Sequence, residues 1–133
     1  MRALLFIILV FFSFTVQAAS LGVLNNVDVP FTTFCKAGYT DTVRPPVAFT
    51  NAIKAKLLKE QNLPGSISDY ELDHAMPLGL NGAPKDIRNL QMQKWDIAFV
   101  KDADENRLRR EVCTKHSKTL KQAQDELTSK WGR

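Results

Sequence analysis

Residues 71–93 read ELDHAMPLGLNGAPKDIRNLQMQ, and their reading decides the fold. In ELDHAMPL, Leu72, Ala75 and Leu78 are apolar and the alternation is imperfect, so the segment reads as a short strand entering a loop. GLNGAPKDIR is turn chemistry, punctuated by Gly79, Asn81-Gly82 and Pro84. NLQMQ alternates Leu90 and Met92 with polar residues, as the second strand of a hairpin does. The whole is a β-hairpin with a long loop, carrying Asp73 and His74 side by side. Neighbours on a strand point to opposite faces. Either a kink or bulge brings these two together, or they serve two sides of one site.

After the hairpin, Trp95 to Val100 is aromatic and apolar. The pattern turns helical from Asp102, with Asp102, Asp104 and Glu105 crowding a first turn, where the helix dipole favours acids. Leu108 and Val112 share a face. A terminal helix is expected from Thr119 to Trp131, with Leu120, Ala123 and Leu127 inward. Before the hairpin, Thr50 offers an N-cap to NAIKAKLLKEQN, a helix of about three turns ended by Leu63-Pro64-Gly65. Residues 19–34 read as an extended lead-in. Residues 35–47 read as irregular, with Gly38 and Val43-Arg44-Pro45-Pro46, whose prolines resist helix. Trp95 and Trp131 are expected in the core, and His116 at the surface between helices. The fold class is α+β.

The first 18 residues read differently. Met1-Arg2 is a short positive start, Ala3 to Val16 is almost wholly apolar, and Val16-Gln17-Ala18 suits a signal peptidase. This is the pattern of a secretory signal peptide cut after Ala18. The apolar run is shorter than the roughly 20 residues a spanning helix needs, so no stable membrane association is expected after cleavage. Residues 19–133, about 115 in all, make one modest domain. The expected location is the periplasm or the cell exterior.

The chain has 18 Lys and Arg against 14 Asp and Glu, a net charge of +4. Loss of the leader removes Arg2, leaving 17 against 14, or +3. That permits a polyanionic partner without demanding one. The two cysteines, Cys35 and Cys113, both lie in the exported part. An even count in an oxidising compartment favours one disulfide over two buried thiols. Closing so long a loop would contribute about 4 kcal/mol by the chain-entropy relation. There is no CxxC pair, so a structural zinc knuckle is not supported.

Hydrolysis of a phosphodiester needs an activated water and positive charge to meet the charge that develops on phosphate. A histidine is suited to take the proton. A hard cation such as Mg²⁺ prefers carboxylate or carbonyl oxygens. Asp73 and His74 supply both parts, and Asn89 is placed to bond across the loop and steady the strand that bears the histidine.

Asp73-His74, Pro77, Asn81-Gly82 and Asn89-Leu90, the last pair about fifteen residues after the histidine, resemble the HNH, or ββα-metal, nuclease superfamily. A group of small exported bacterial HNH-like proteins is more similar still. It shares Val43-Arg44-Pro45-Pro46, Tyr70-Glu71-Leu72-Asp73-His74, Lys101-Asp102 with Glu105, Val112-Cys113, Ala123-Gln124 and Trp131, which together span nearly all of residues 19–133. The resemblance implies a ββα-metal core with flanking helices. It implies an exported, metal-dependent endonuclease cutting DNA with little sequence preference. By it, His74 is the general base, Asp73 a metal ligand, and Asn89 the residue fixing the loop or the base. The divalent ion would be Mg²⁺, with Mn²⁺ or Zn²⁺ as alternatives. The superfamily's final ligand is a histidine or asparagine on the following helix, and no histidine occurs there in this sequence. Asp102 is the candidate in its place, or else an N-cap. Lys101 and Glu105 complete the site or form an ordinary i, i+4 ion pair. Arg88, next to Asn89, is the candidate phosphate contact, while Arg107, Arg109 and Arg110 read as solvated helix charges. Asn81 stands where the group has the first glycine of a pair, and asparagine tolerates the positive φ such a turn needs. The missing ligand leaves a second expectation, a non-catalytic binding protein on the same fold. A third is a structural protein in which Asp73 and His74 only stabilise the hairpin.

Overall fold

The structure, a computed structural model, describes residues 24–26 and 29–132. The expected signal peptide lies outside the described residues. Among them are five α-helices: α1 (Phe31–Phe34), α2 (Tyr39–Val43), α3 (Val47–Glu60), α4 (Trp95–Cys113) and α5 (Leu120–Trp131). One two-stranded antiparallel sheet, β1 (Tyr70–His74) and β2 (Leu90–Lys94), lies between α3 and α4 in the chain. The fold is mixed α+β, and no helix among the described residues is long and apolar enough to cross a membrane.

Four boundaries differ from the sequence reading. The lead-in contains a short helix, α1, and the irregular stretch contains another, α2, which ends at Val43 just before Arg44 and the proline pair. Helix α3 starts at Val47 with Pro46 as its N-cap, three residues ahead of Thr50. A proline fits there because the first helical amides need no intrahelical acceptor. Thr50 lies inside the helix and donates its hydroxyl to the Val47 carbonyl at 3.0 Å. Helix α4 starts at Trp95, directly after the last residue of β2, and not at Asp102. Its first-turn acid is Asp96, whose carboxylate accepts from the Ile97 amide. Asp102 therefore sits inside the helix, and its N-cap reading is corrected.

Helix α5 follows its sequence. Thr119 caps it in a reciprocal box with Gln122, two orphan donors being satisfied together. Ala123 and Leu127 are buried, and Leu120 packs against the same cluster.

The core gathers Phe34, Tyr39, Met76, Leu80, Leu108, Val112, Ala123 and Leu127. Two of these, Met76 and Leu80, come from the hairpin's long loop. The loop thus plugs the space between α1, α2, α4 and α5. Its turn is tight. Asn81 takes the left-handed conformation at φ 63°, and a side chain at Gly82 would put a Cβ 1.8 Å from the Met76 carbonyl oxygen. Gln124 of α5, nearly fully buried, donates to the Leu80 carbonyl at 2.9 Å. The Cys35–Cys113 disulfide joins the end of α1 to the end of α4 across 78 positions, with Cα atoms 5.2 Å apart. Trp131 packs against the core and donates to Asp104.

Candidate active site

The register is unbroken through the two adjacent residues: Asp73 pairs with Gln91 and His74 with Leu90. With no bulge between them, the two side chains leave β1 on opposite faces. They nevertheless border one cleft of about 390 Å³. Residues of β1 line it and those of β2 do not. Thr40, Arg44, Glu71, Asp102, Glu105 and Arg109 also line it.

The His74 Nε2 lies 2.9 Å from the Pro84 carbonyl oxygen. A carbonyl only accepts, so Nε2 carries the hydrogen and Nδ1 is the basic nitrogen. Among the described residues Nδ1 has no hydrogen-bond partner. Burial pulls the imidazole below its usual pKa, against the raising influence of the Pro84 contact and the Asp73 charge. The ring is therefore neutral at pH 7, oriented, and open to a proton.

Asn89 holds the loop that supplies Pro84. Its side chain is completely buried. The amide oxygen accepts from the Met76 N–H at 2.7 Å, and the amide nitrogen donates to the Met76 and Ala83 carbonyls at 2.9 Å each. Both ends of the loop are thereby tied together beside His74.

On the other face, Asp73 meets α4. Its Oδ2 accepts from Gln91 at 2.7 Å. The Lys101 ammonium lies 3.2 Å from its Oδ1 and 3.0 Å from its Oδ2. Lys101 also donates to the His74 carbonyl at 2.9 Å and to Glu105. The Lys101 side chain is 1% exposed. Burial works against its charge, but Glu105 and Asp73 outweigh that and hold its pKa above the usual value. Burial pushes Glu105 up to about 7. Glu71 and Asp102 are also raised, first by burial and then by neighbouring carboxylates.

Asp102 borders the cleft without a hydrogen bond or ion pair among the described residues. Arg88 stands elsewhere. It grips Asp86 through Nε at 2.9 Å and a terminal nitrogen at 2.5 Å, in the turn that leads to Asn89, and does not line the cleft. Of the three helix arginines, Arg110 is exposed as expected, while the other two are not simply solvated. Arg107 bridges Asp104, Glu111 and Glu126. Arg109 reaches back from α4 to donate to the Gly79 and Lys36 carbonyls, a role its place in the sequence does not reveal. Arg44 is exposed and lines the cleft; its backbone N–H donates to the Thr40 carbonyl, and its side chain makes no hydrogen bond among the described residues.

A smaller groove continues from His74 along α3, lined by Arg44, Lys54 and Trp95 among others. Trp95 is 53% exposed, which corrects its expected place in the core. It begins α4, and its indole N–H is fixed on the Ser68 carbonyl at 2.8 Å with the Lys54 ammonium 5.9 Å from the ring centre.

These residues do not fit a divalent ion as they are disposed. Both Asp73 oxygens are engaged by Lys101 and Gln91, and Glu105 is engaged by Lys101, which leaves Glu71 and Asp102 as two carboxylates on the cleft. No group of three or more His, Cys, Asp or Glu side chains among the described residues is placed to hold a metal.

No family model, curated protein or solved structure matches this chain.

Proposed function

We propose that this protein is an exported hydrolase of phosphodiester bonds, acting on DNA from an HNH-like hairpin and helix. The observation that carries the reading is His74: a neutral imidazole whose Nε2 is fixed on the Pro84 carbonyl while Nδ1 faces no protein partner at the edge of a polar cleft. That is the disposition of a general base. A water in the cleft gives its proton to Nδ1 and its oxygen attacks phosphorus. The ester P–O bond breaks, and the leaving oxygen takes a proton from cleft water. Arg44 is the guanidinium available to meet the phosphate charge. Lys54 and Trp95, on the groove that continues from His74, suit a neighbouring phosphate and a stacked base. The disulfide supports export, since such bonds persist in oxidising compartments.

One observation favours a second reading, a non-catalytic binding module on the same fold. Lys101 takes up the carboxylate that the nuclease pattern assigns to a metal.

Nicking of supercoiled plasmid by the secreted, oxidised protein separates the two. It is run with EDTA, Mg²⁺, Mn²⁺ or Zn²⁺, beside a His74→Ala variant purified identically. Nicking that disappears in the variant supports the hydrolase and the base together. Folded protein that binds DNA without cutting it under any condition supports the binding module.

A further inference from the structure

We infer that the Lys101 ammonium is a built-in cation occupying the place where a divalent metal would sit, so that the site takes up no divalent ion. The inference draws on the nuclease-like reading of the hairpin, which is where a cation would otherwise be expected, but its test does not need cleavage.

The argument starts from donor count. An ammonium has three N–H donors and no acceptor. Lys101 meets three oxygens: the Asp73 carboxylate, the His74 carbonyl and the Glu105 carboxylate. They come from a strand side chain, the backbone at the end of that strand, and a helix side chain. Two carboxylates and a carbonyl form the hard oxygen set that Mg²⁺, Mn²⁺ or Ca²⁺ would select. The ammonium holds that set from inside the protein. Its side chain is 1% exposed and that of Asp73 is 8%, so a solvent ion reaches the pair only through the cleft that Asp73 and Glu105 border. A divalent ion entering here would have to displace a buried, fully bonded lysine. It would also have to stay in a cluster that then held both cations.

The arrangement also assigns Lys101 a positioning role. By gripping the His74 carbonyl and the Asp73 carboxylate together, it fixes the end of β1 from which the imidazole projects. Lys101 does not reach the cleft and is not itself a catalytic group.

The test is divalent-ion binding by the oxidised wild-type protein and by Lys101→Met, read by isothermal titration and by melting temperature with Mg²⁺, Mn²⁺ and Zn²⁺. Wild type is expected to show no saturable heat and no rise in melting temperature up to millimolar ion. Folded Lys101→Met is expected to gain a saturable site, absent from the Lys101→Met, Asp73→Asn double variant. Wild-type binding in the micromolar range that is lost in Asp73→Asn overturns the inference. So does a folded Lys101→Met protein that gains no site. Should Lys101→Met not fold, the wild-type and Asp73→Asn titrations decide alone. An absence of nicking in the plasmid experiment sinks the hydrolase reading and leaves these titrations untouched.

Discussion

The Lys101 ammonium lies 3.0 Å from the Asp73 carboxylate where β1 meets α4, with side-chain exposures of 1% and 8%. Removing one partner of such a pair leaves the other charge buried and uncompensated, at a cost of about 3–5 kcal/mol. Asp73→Leu and Lys101→Met should each lose stability on that scale, and the double variant less than the sum of the two. Chemical denaturation of the four proteins closes the cycle. Additive losses would mean the pair contributes no coupling.

Asn89→Ala should be as costly as a large core truncation. It strips partners from the Met76 amide and from two carbonyls in a completely buried setting. Leaving buried backbone groups unpaired costs roughly 1–3 kcal/mol each. Asn89→Asp should fare no better, because an ionised carboxylate cannot donate to the Met76 and Ala83 carbonyls. A midpoint within experimental error of wild type for either variant would contradict the fastening role.

His74 predicts a particular acid limb. Its folded pKa is depressed by burial below the usual 6.5, so the imidazole stays basic to lower pH than a free one. The acid limb of kcat/KM for nucleic-acid cleavage should therefore lie below 6.5. For stability, the group contributes fully above 6.5 and loses that contribution as pH falls towards the lower folded value. NMR titration of the ring reads the value directly, and a midpoint above 6.5 would contradict the burial argument.

Glu105 works with the opposite sign. Its carboxyl is pushed up to about 7 in the fold from an ordinary 4.5, first by burial. An acid raised in the folded state adds stability that is complete below 4.5 and lost as pH rises through about 7. Wild-type stability should therefore sag between those values from this group, and Glu105→Gln should flatten the sag. Urea midpoints at intervals from pH 4.5 to 8 measure it. Parallel curves for the two proteins would show that Glu105 titrates normally.

Reduction of the Cys35–Cys113 disulfide should cost about 4 kcal/mol, since it closes a loop of 78 positions in the unfolded chain. The comparison is denaturation with and without a thiol reductant. The reduced protein should also lose protection of amides in α1 and near the end of α4, where the bridge is anchored.

The hairpin was legible in its residues because strand alternation and turn chemistry are local. Leu90 and Met92 alternate with polar neighbours, and Asn81-Gly82 marks the turn between the strands. Helix α5 was legible for the same reason: its cap and its apolar spacing lie within one segment. The even cysteine count pointed to the bridge, because pairing needs only two partners and an oxidising setting. The start of α4 was not legible. Trp95, Ile97, Phe99 and Val100 are all exposed, and only Ala98 of that run is buried. An apolar helix face turned to solvent carries no amphipathic signal, and no turn residue separates it from β2.

The sequence alone thus determined the α+β class, the hairpin that presents Asp73, His74 and Asn89, and the cysteine pair. Only the tertiary structure decided what those side chains meet. Lys101 stands 27 residues from His74 along the chain, and at the level of sequence its one visible partner was Glu105, a turn away. Its burial depends on oxygens from a strand, a backbone carbonyl and a helix converging on one point. That convergence is set by how α4 packs across β1, a long-range arrangement that no local pattern of residues encodes.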